Sequence, residues 1–454
     1  MAIASINPAT GALVRSFEAL TAEAILQKID RADEAFRAYR QVPLEHRAMW
    51  MRKLAAQLEQ EADDLAQVMT LEMGKPLDAA RQEALKCATC CRYYADHAAE
   101  MLTPIAIATE LSQSYVCWEP MGVVLAVMPW NFPFWQVFRF LVPALMAGNA
   151  GLLKHAPNVP QCALAIESLV RRAGFPRGIF QALLIEVEQT EVVISDERVK
   201  AVSLTGSEAA GSAVASLAGR LIKKSVLELG GSDPFIVMAS ADLDHAVEIA
   251  VRARCVNNGQ SCIAAKRFII ADSIYEEFEQ RFVAGMEAMR VGDPMRDDID
   301  VGPLASARIL ERLEQQVSEA IEAGARILTG GVRMVGDGFY FEPTVLVDLP
   351  RSCAVYREEF FGPVALLFRV ADMDEAIALA NDTPFGLGAS VWTQEQAEQQ
   401  RFVAELQAGS VFVNVMVASD SRLPFGGTKH SGYGRELSAA GMREFMHAKT
   451  VVVA

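Results

Sequence analysis

Cys262 stands in the stretch NNGQSCIAAKRF, residues 257 to 268, just behind Gly259 and Gln260 and at the end of a helix-like run. Glycine has no Cβ, so backbone can pass close to a ligand there. A nucleophilic cysteine reacts as its thiolate, and a free thiol is only a few per cent thiolate at neutral pH. A catalytic Cys262 therefore needs a base, a dipole or a charge beside it. The commoner role of a lone cysteine is that of a small buried hydrophobe.

Three further stretches carry chemistry of matching kinds. Glu228 in VLELGGSD ends an apolar strand just before two glycines. A carboxylate so placed either loses solvation, which raises its pKa toward general-base work, or closes a strand-end ion pair. Asn131 in MPWNFPFW lies between Trp130 and Phe132, after a buried strand and before a helix. Its amide can donate to a developing oxyanion, or serve as an Asx turn or helix cap. In SLTGSEAAG, Gly206, Ser207 and Gly211 open a helix after a strand, and a helix N-terminus of small residues suits a pyrophosphate. The spacing is not G-x-G-x-x-G, so alone it is a weak fingerprint.

Such residues need a scaffold that brings them together. At about 100–200 residues per domain, 454 residues suggest two to four domains. With 52% hydrophobic and 22% charged residues the composition is globular, with ample material for large cores. Residues 21 to about 100 read as three helices, from the recurrence of Ile25, Ile29, Ala32, Ala35 and Phe36 onward. From residue 111 strands and helices alternate, as in a doubly wound parallel sheet: VVLAVMP, then FWQVFRFLVPALMAG, then GLLKHA. A second alternating region starts at DPFIVM, so two α/β units meet near Gly230 and Gly231.

Charge and composition exclude several functions. A formal net charge of −15 with no basic stripe argues against nucleic-acid binding. The opening MAIASINPATG lacks the pattern of a secretory signal. The most apolar run, residues 121 to 153, is broken by Pro129, Asn131, Pro133 and Arg139, which argues against a membrane span. Of eight cysteines, Cys87, Cys90 and Cys91 fall together as CATCC. No second Cys/His pair stands at ligand spacing, so they read as buried hydrophobes and no metal site is expected. The protein is expected to be reduced and cytoplasmic.

Taken in order, PWNFP, LTGSEAAG, LELGG, NNGQSC, EEFFGPV, PFGLGASV and PFGGTKHSGYGRE resemble the motif series of the aldehyde dehydrogenase superfamily. INPATG, GDP, GPL and PTVL fit as well, so the resemblance covers essentially the whole chain. Glu228 and Cys262 lie 34 residues apart, as in that family. The resemblance implies an α/β fold with a Rossmann-like cofactor domain (1–100 and 121–230), an α/β catalytic domain (231–433) and a small β oligomerisation element (101–120 and 434–454). It implies a homodimer or homotetramer, because the β-branched tail HAKTVVV would leave an open strand edge in a monomer.

It also implies roles. Cys262 is the nucleophile, Asn131 and the Cys262 backbone N–H form the oxyanion hole, and Glu228 activates the water that hydrolyses a thioester. Pro129, Trp130, Lys154, Gly206, Ser207, Leu229, Glu359 and Phe361 would hold NAD or NADP. Many NAD-preferring members read Lys-Pro-x-Glu where this chain has KHAPN. Pro157 removes a ribose acceptor and a repulsion against a 2′-phosphate, so use of both cofactors is expected. The family's Gly-x-Gly is missing from GIFQALLIEVEQ.

The substrate implied is succinate semialdehyde. Arg139, eight residues after Asn131, Ser419 and Phe425 match the positions that meet the substrate in succinate-semialdehyde dehydrogenases. A guanidinium within FWQVFRFLVPAL needs a carboxylate, from protein or ligand. Those enzymes carry a second arginine where this chain has Val256, and Arg422 is the available substitute. No cysteine adjoins Cys262, so no local disulfide switch is expected. Other readings are an enzyme for another aliphatic or aromatic aldehyde, a CoA-acylating member, or a non-enzymatic protein on the same fold. Retention of Glu228 speaks against the second, and of all three catalytic residues against the third. For a cysteine hydrolase, no motif histidine stands where it could serve as the base.

Overall fold

A computed structural model describes residues 3–454. Its strands fall into two large sheets. The first has the order Gly432–Tyr433, Lys224–Glu228, Val199–Thr205, Val123–Met128, Ala150–His155 and Phe180–Ala182. All are parallel except the short Gly432–Tyr433. Strand Val123–Met128 is central and reads as a continuous apolar run because helices cover both faces of a parallel sheet.

The second sheet runs Arg326–Thr329, Thr344–Val347, Val364–Val370, Arg267–Ala271, Pro234–Val237, Gly388–Trp392 and Ser410–Val413. Alternate side chains go to opposite faces: Ile236 and Ile269 join one core, Phe235, Val237, Phe268 and Ile270 the other. The chain changes sheets between Glu228 and Pro234, so Gly230 and Gly231 lie where the two units meet. A third sheet pairs Met446–Val453 antiparallel to Gln113–Pro120 over eight residue pairs, with Ile105–Ala106 beyond. The far edge of Met446–Val453 has no strand against it among the described residues.

The N-terminal region holds four helices rather than three: Ala22–Tyr39, Leu44–Gln60, Ala62–Met73 and Leu77–Met101. Glu61, at φ −105° and ψ 14°, separates the second and third. Asp63 and Asp64 in the new first turn favour a fresh helix N-terminus there. Cys87, Cys90 and Cys91 are buried in the fourth helix. No described helix is long and apolar enough to cross a membrane.

Candidate active site

Residues 256–262 leave helix Leu243–Cys255 by an uncommon path. Asn257, Asn258 and Gly259 all have positive φ, at 56°, 59° and 72°. Asparagine tolerates this region and glycine takes it without strain. The reason for Gly259 differs from the sequence argument. A Cβ there would come within 2.3 Å of the Gly362 carbonyl carbon, so the glycine lets protein backbone approach, not ligand. Asn258 pins the turn by donating to the carbonyls of Gly74 and Pro303, both at 2.9 Å.

The turn delivers Cys262 to a cavity of about 130 Å³, lined also by Phe132, Trp135, Arg139, Ser419 and Phe425. Burial pushes the thiol up to about 12, with Arg139 and Lys266 opposing. Lys266 is fully buried and donates to the carbonyls of Ser261 and Cys262, each at 2.6 Å.

Asn131 is brought to the same loop. Its Nδ2 donates to the Gln260 carbonyl at 3.2 Å, which leaves one N–H free. Asn257 Nδ2 bonds both the Asn131 carbonyl, at 2.7 Å, and that of Gln260, at 2.9 Å. The amide is thus held against the backbone of the Cys262 loop, at Gln260, rather than used as a helix cap.

Glu228 sits at the C-terminal end of its strand, where open α/β sheets bind ligands. It makes no ion pair among the described residues, and neither carboxylate oxygen has a hydrogen bond within the protein. Burial raises its pKa well above the carboxylate range, and buried Glu436 adds to the rise. The strand-end ion-pair reading therefore fails, which leaves a desolvated carboxylate of raised pKa.

Beyond the junction lies a larger cleft of about 860 Å³, lined by Trp130, Pro157, Ser207, Gly230, Glu359 and Phe361 among others. Ser207 caps helix Glu208–Arg220 through the Ala210 N–H, so it both caps and faces the cleft. Trp130 and Phe361 meet edge to face at 5.7 Å. A Cβ on Gly230 would reach within 2.7 Å of Glu359 Oε2, so the glycine keeps the floor open. A cleft with aromatic walls, three carboxylates (Glu208, Glu358 and Glu359), three arginines (Arg308, Arg312 and Arg357) and a helix N-terminus fits a dinucleotide. Pro129, Lys154, Gly206 and Leu229 lie outside the lining. The Gly206 N–H instead bonds the Glu228 carbonyl at 3.0 Å, and Leu229 packs against Gly211. Lys154 is buried, its pKa lowered by that burial.

Two sequence expectations about the substrate end change. Arg139 has a protein partner: its Nε lies 2.7 Å from Glu436 in the GYGRE motif, both side chains almost fully buried. Its burial is therefore no evidence by itself of a ligand carboxylate. Arg422 does not substitute for a second arginine, because it is exposed and forks onto Asp420 at 2.8 and 2.6 Å.

The aldehyde dehydrogenase family model matches residues 1–451. The chain belongs to the aldehyde dehydrogenase family. It is 54% identical over 454 residues, all of both chains, to the probable succinate-semialdehyde dehydrogenase (NADP(+)) of Synechocystis sp.. Identity is also 54% over 457 residues, again all of both chains, to succinate-semialdehyde dehydrogenase (NADP(+)) 1 of Mycobacterium tuberculosis. The crystal structure of the succinic semialdehyde dehydrogenase of Streptococcus pyogenes in complex with NADP+ superposes with a TM-score of 0.98 at 36% identity, covering 99% of each chain.

Several residues of this aldehyde dehydrogenase site escaped the sequence reading. Lys266 lies 3.0 Å from Glu359 and so links the cysteine loop to the cleft. Glu436 forms the carboxylate partner of Arg139. Lys86, on helix Leu77–Met101, lines the Cys262 cavity. It follows buried Glu83 by three residues and precedes buried Cys90 by four, so a helical wheel carries the signal.

Proposed function

We propose that this aldehyde dehydrogenase oxidises succinate semialdehyde to succinate with NADP+, and NAD+ as a second cofactor. The observation that carries the reading is the Cys262 cavity itself. At about 130 Å³ it is small beside the roughly 300–1,000 Å³ of drug-sized sites, and its lining includes Lys86 and Arg139 but no acid. A short aldehyde with a terminal carboxylate matches that size and charge. The names of the relatives support the same substrate.

The Cys262 thiol gives up its proton to solvent water, the Sγ thiolate attacks the aldehyde carbon, and the carbonyl π electrons move to oxygen. The free Asn131 N–H and the Cys262 backbone N–H stabilise that oxyanion. The chemistry supplied by a bound nicotinamide is acceptance of the hydride, which leaves a thioester on Cys262. Glu228 then takes a proton from water, the resulting hydroxide attacks the acyl carbon, and the C–S bond breaks. Glu359 and Ser207 would hold the cofactor's ribose and pyrophosphate, and Trp130 and Phe361 its ring. The substrate carboxylate meets the Ser419 hydroxyl and Arg139 Nη2, which makes no hydrogen bond within the protein. Phe425, whose ring lies 4.5 Å from the Arg139 guanidinium, supports that side chain.

Initial rates with succinate semialdehyde and with butanal test the reading. A strong preference for succinate semialdehyde is expected, and equal kcat/KM for the two aldehydes would sink the substrate assignment. Arg139→Ala is a poor reporter of the same point. It strands Glu436 as an unpaired buried carboxylate and is expected to cost about 3–5 kcal/mol of stability, read as a fall in the urea midpoint.

Pro157→Glu tests the cofactor side. Pro157 lines the cleft, and a carboxylate there would accept from ribose hydroxyls and repel a 2′-phosphate. The ratio of kcat/KM for NADP+ over NAD+ is expected to fall by about 10–100-fold. An unchanged ratio would move the discrimination elsewhere. The free edge of Met446–Val453 supports assembly into a homodimer or homotetramer.

A further inference from the structure

The two cations of the Cys262 cavity are not equivalent. Arg139 is tied to Glu436 at 2.7 Å with both side chains buried, so that pair is close to neutral overall. Lys86 makes no ion pair among the described residues, and nearby Glu83 is already bound to Lys75. Its ammonium donates to Ser419 Oγ at 2.9 Å and lies 4.4 Å from the centre of the Trp135 ring. Trp135 Nε1 donates to the same Ser419 oxygen, also at 2.9 Å. Two donors fill the acceptor sites of that hydroxyl, which leaves its own hydrogen to point at a ligand.

Position adds a second argument. Lys86, Phe132, Trp135 and Val256 line both the Cys262 cavity and an adjoining cavity of about 700 Å³. Lys86 therefore stands at the seam between them, with the indole fixing its ammonium. Val256, on the same seam, offers no charge. Lys86 brings the uncompensated positive charge, and Ser419 is already turned by it.

We infer that Lys86, through its ammonium and the Ser419 hydroxyl it orients, is the specificity-determining anchor for the carboxylate of a short ω-carboxy aldehyde. The inference rests on the semialdehyde reading above and deepens it by naming the charge that selects the substrate. Arg139 then closes the far side of the cavity, its charge largely offset by Glu436.

The test uses the full chain at saturating NADP+, as wild type, K86M and K86R. In K86M, KM for succinate semialdehyde is expected to rise by about 10–100-fold, and the inhibition constant of succinate to rise in parallel. Butanal KM should move by about threefold at most, and K86R should recover most of the loss. Should the methionine variant fail to fold, K86Q carries the same comparison. Equal wild-type kcat/KM for the two aldehydes would overturn the substrate reading and this inference together. A wild-type preference that survives in K86M or K86Q would overturn the Lys86 inference alone. So would an equal loss towards butanal, which marks a structural role.

Discussion

Cys262→Ala is expected to lose aldehyde oxidation by about 10⁴-fold or more in kcat, because no other thiol lines the cavity to form the covalent bond that makes the aldehyde carbon a hydride donor. The eight cysteines are otherwise remote from this chemistry. Cys255, the nearest in sequence, is buried with its Sγ against Met286 Sδ at 3.7 Å. The variant should fold normally, since Cys262 is only partly buried and its carbonyl, not its side chain, anchors Lys266. Binding of NADP+ by calorimetry should persist. Residual turnover within tenfold of wild type would mean that the nucleophile has been misassigned.

Glu228→Gln is expected to separate the two halves of the reaction. The variant should release about one equivalent of reduced cofactor per active site and then slow by about 10²–10⁴-fold, because acylation proceeds and hydrolysis lacks its base. Rapid mixing with absorbance detection reads both phases. A steady rate near wild type with no burst would remove Glu228 from the deacylation step.

The same variant should change stability, with a definite pH signature. The Glu228 carboxyl is held well above its ordinary pKa by burial. An unfolded chain releases that proton near pH 4.3, whereas the folded one keeps it. Stability from this group is thus fully present below about pH 4.3 and is lost as pH rises toward the raised folded value. Glutamine has no such loss. The variant should equal wild type at low pH and exceed it by a margin that grows as pH rises from the unfolded value and levels off once the raised folded value is passed. Urea unfolding at pH 5 and pH 8 measures the gap. A smaller gap at pH 8 than at pH 5 would refute the burial argument.

Much of this site could be read from local sequence. Glu228, Asn131 and Cys262 each fall in short stretches whose neighbours dictate their placement: a strand end, a strand-to-helix turn and a left-handed turn. What escaped depended on contacts between distant segments. Nothing near Arg139 announces Glu436, and nothing near Gly259 announces that Gly362 will press against it. The break at Glu61 was missed because one apolar stripe runs through both helices, and only the acids just after it mark the new start. Lys86 is the instructive miss. Its helix is legible, but only the folded packing shows that Lys86 lies against the Cys262 cavity.

The burial that holds the Cys262 thiol near 12 also bears on how this protein ages. Peroxides and alkylating agents attack thiolates, and at neutral pH the resting enzyme exposes almost none. Cys87, Cys90, Cys91 and Cys162 are more completely shielded, all with raised pKa values. Only Cys117 and Cys353 join Cys262 in being partly accessible. Air and mild oxidants should therefore mark Cys117 and Cys353 first, with Cys262 reacting more slowly than its accessibility alone would give.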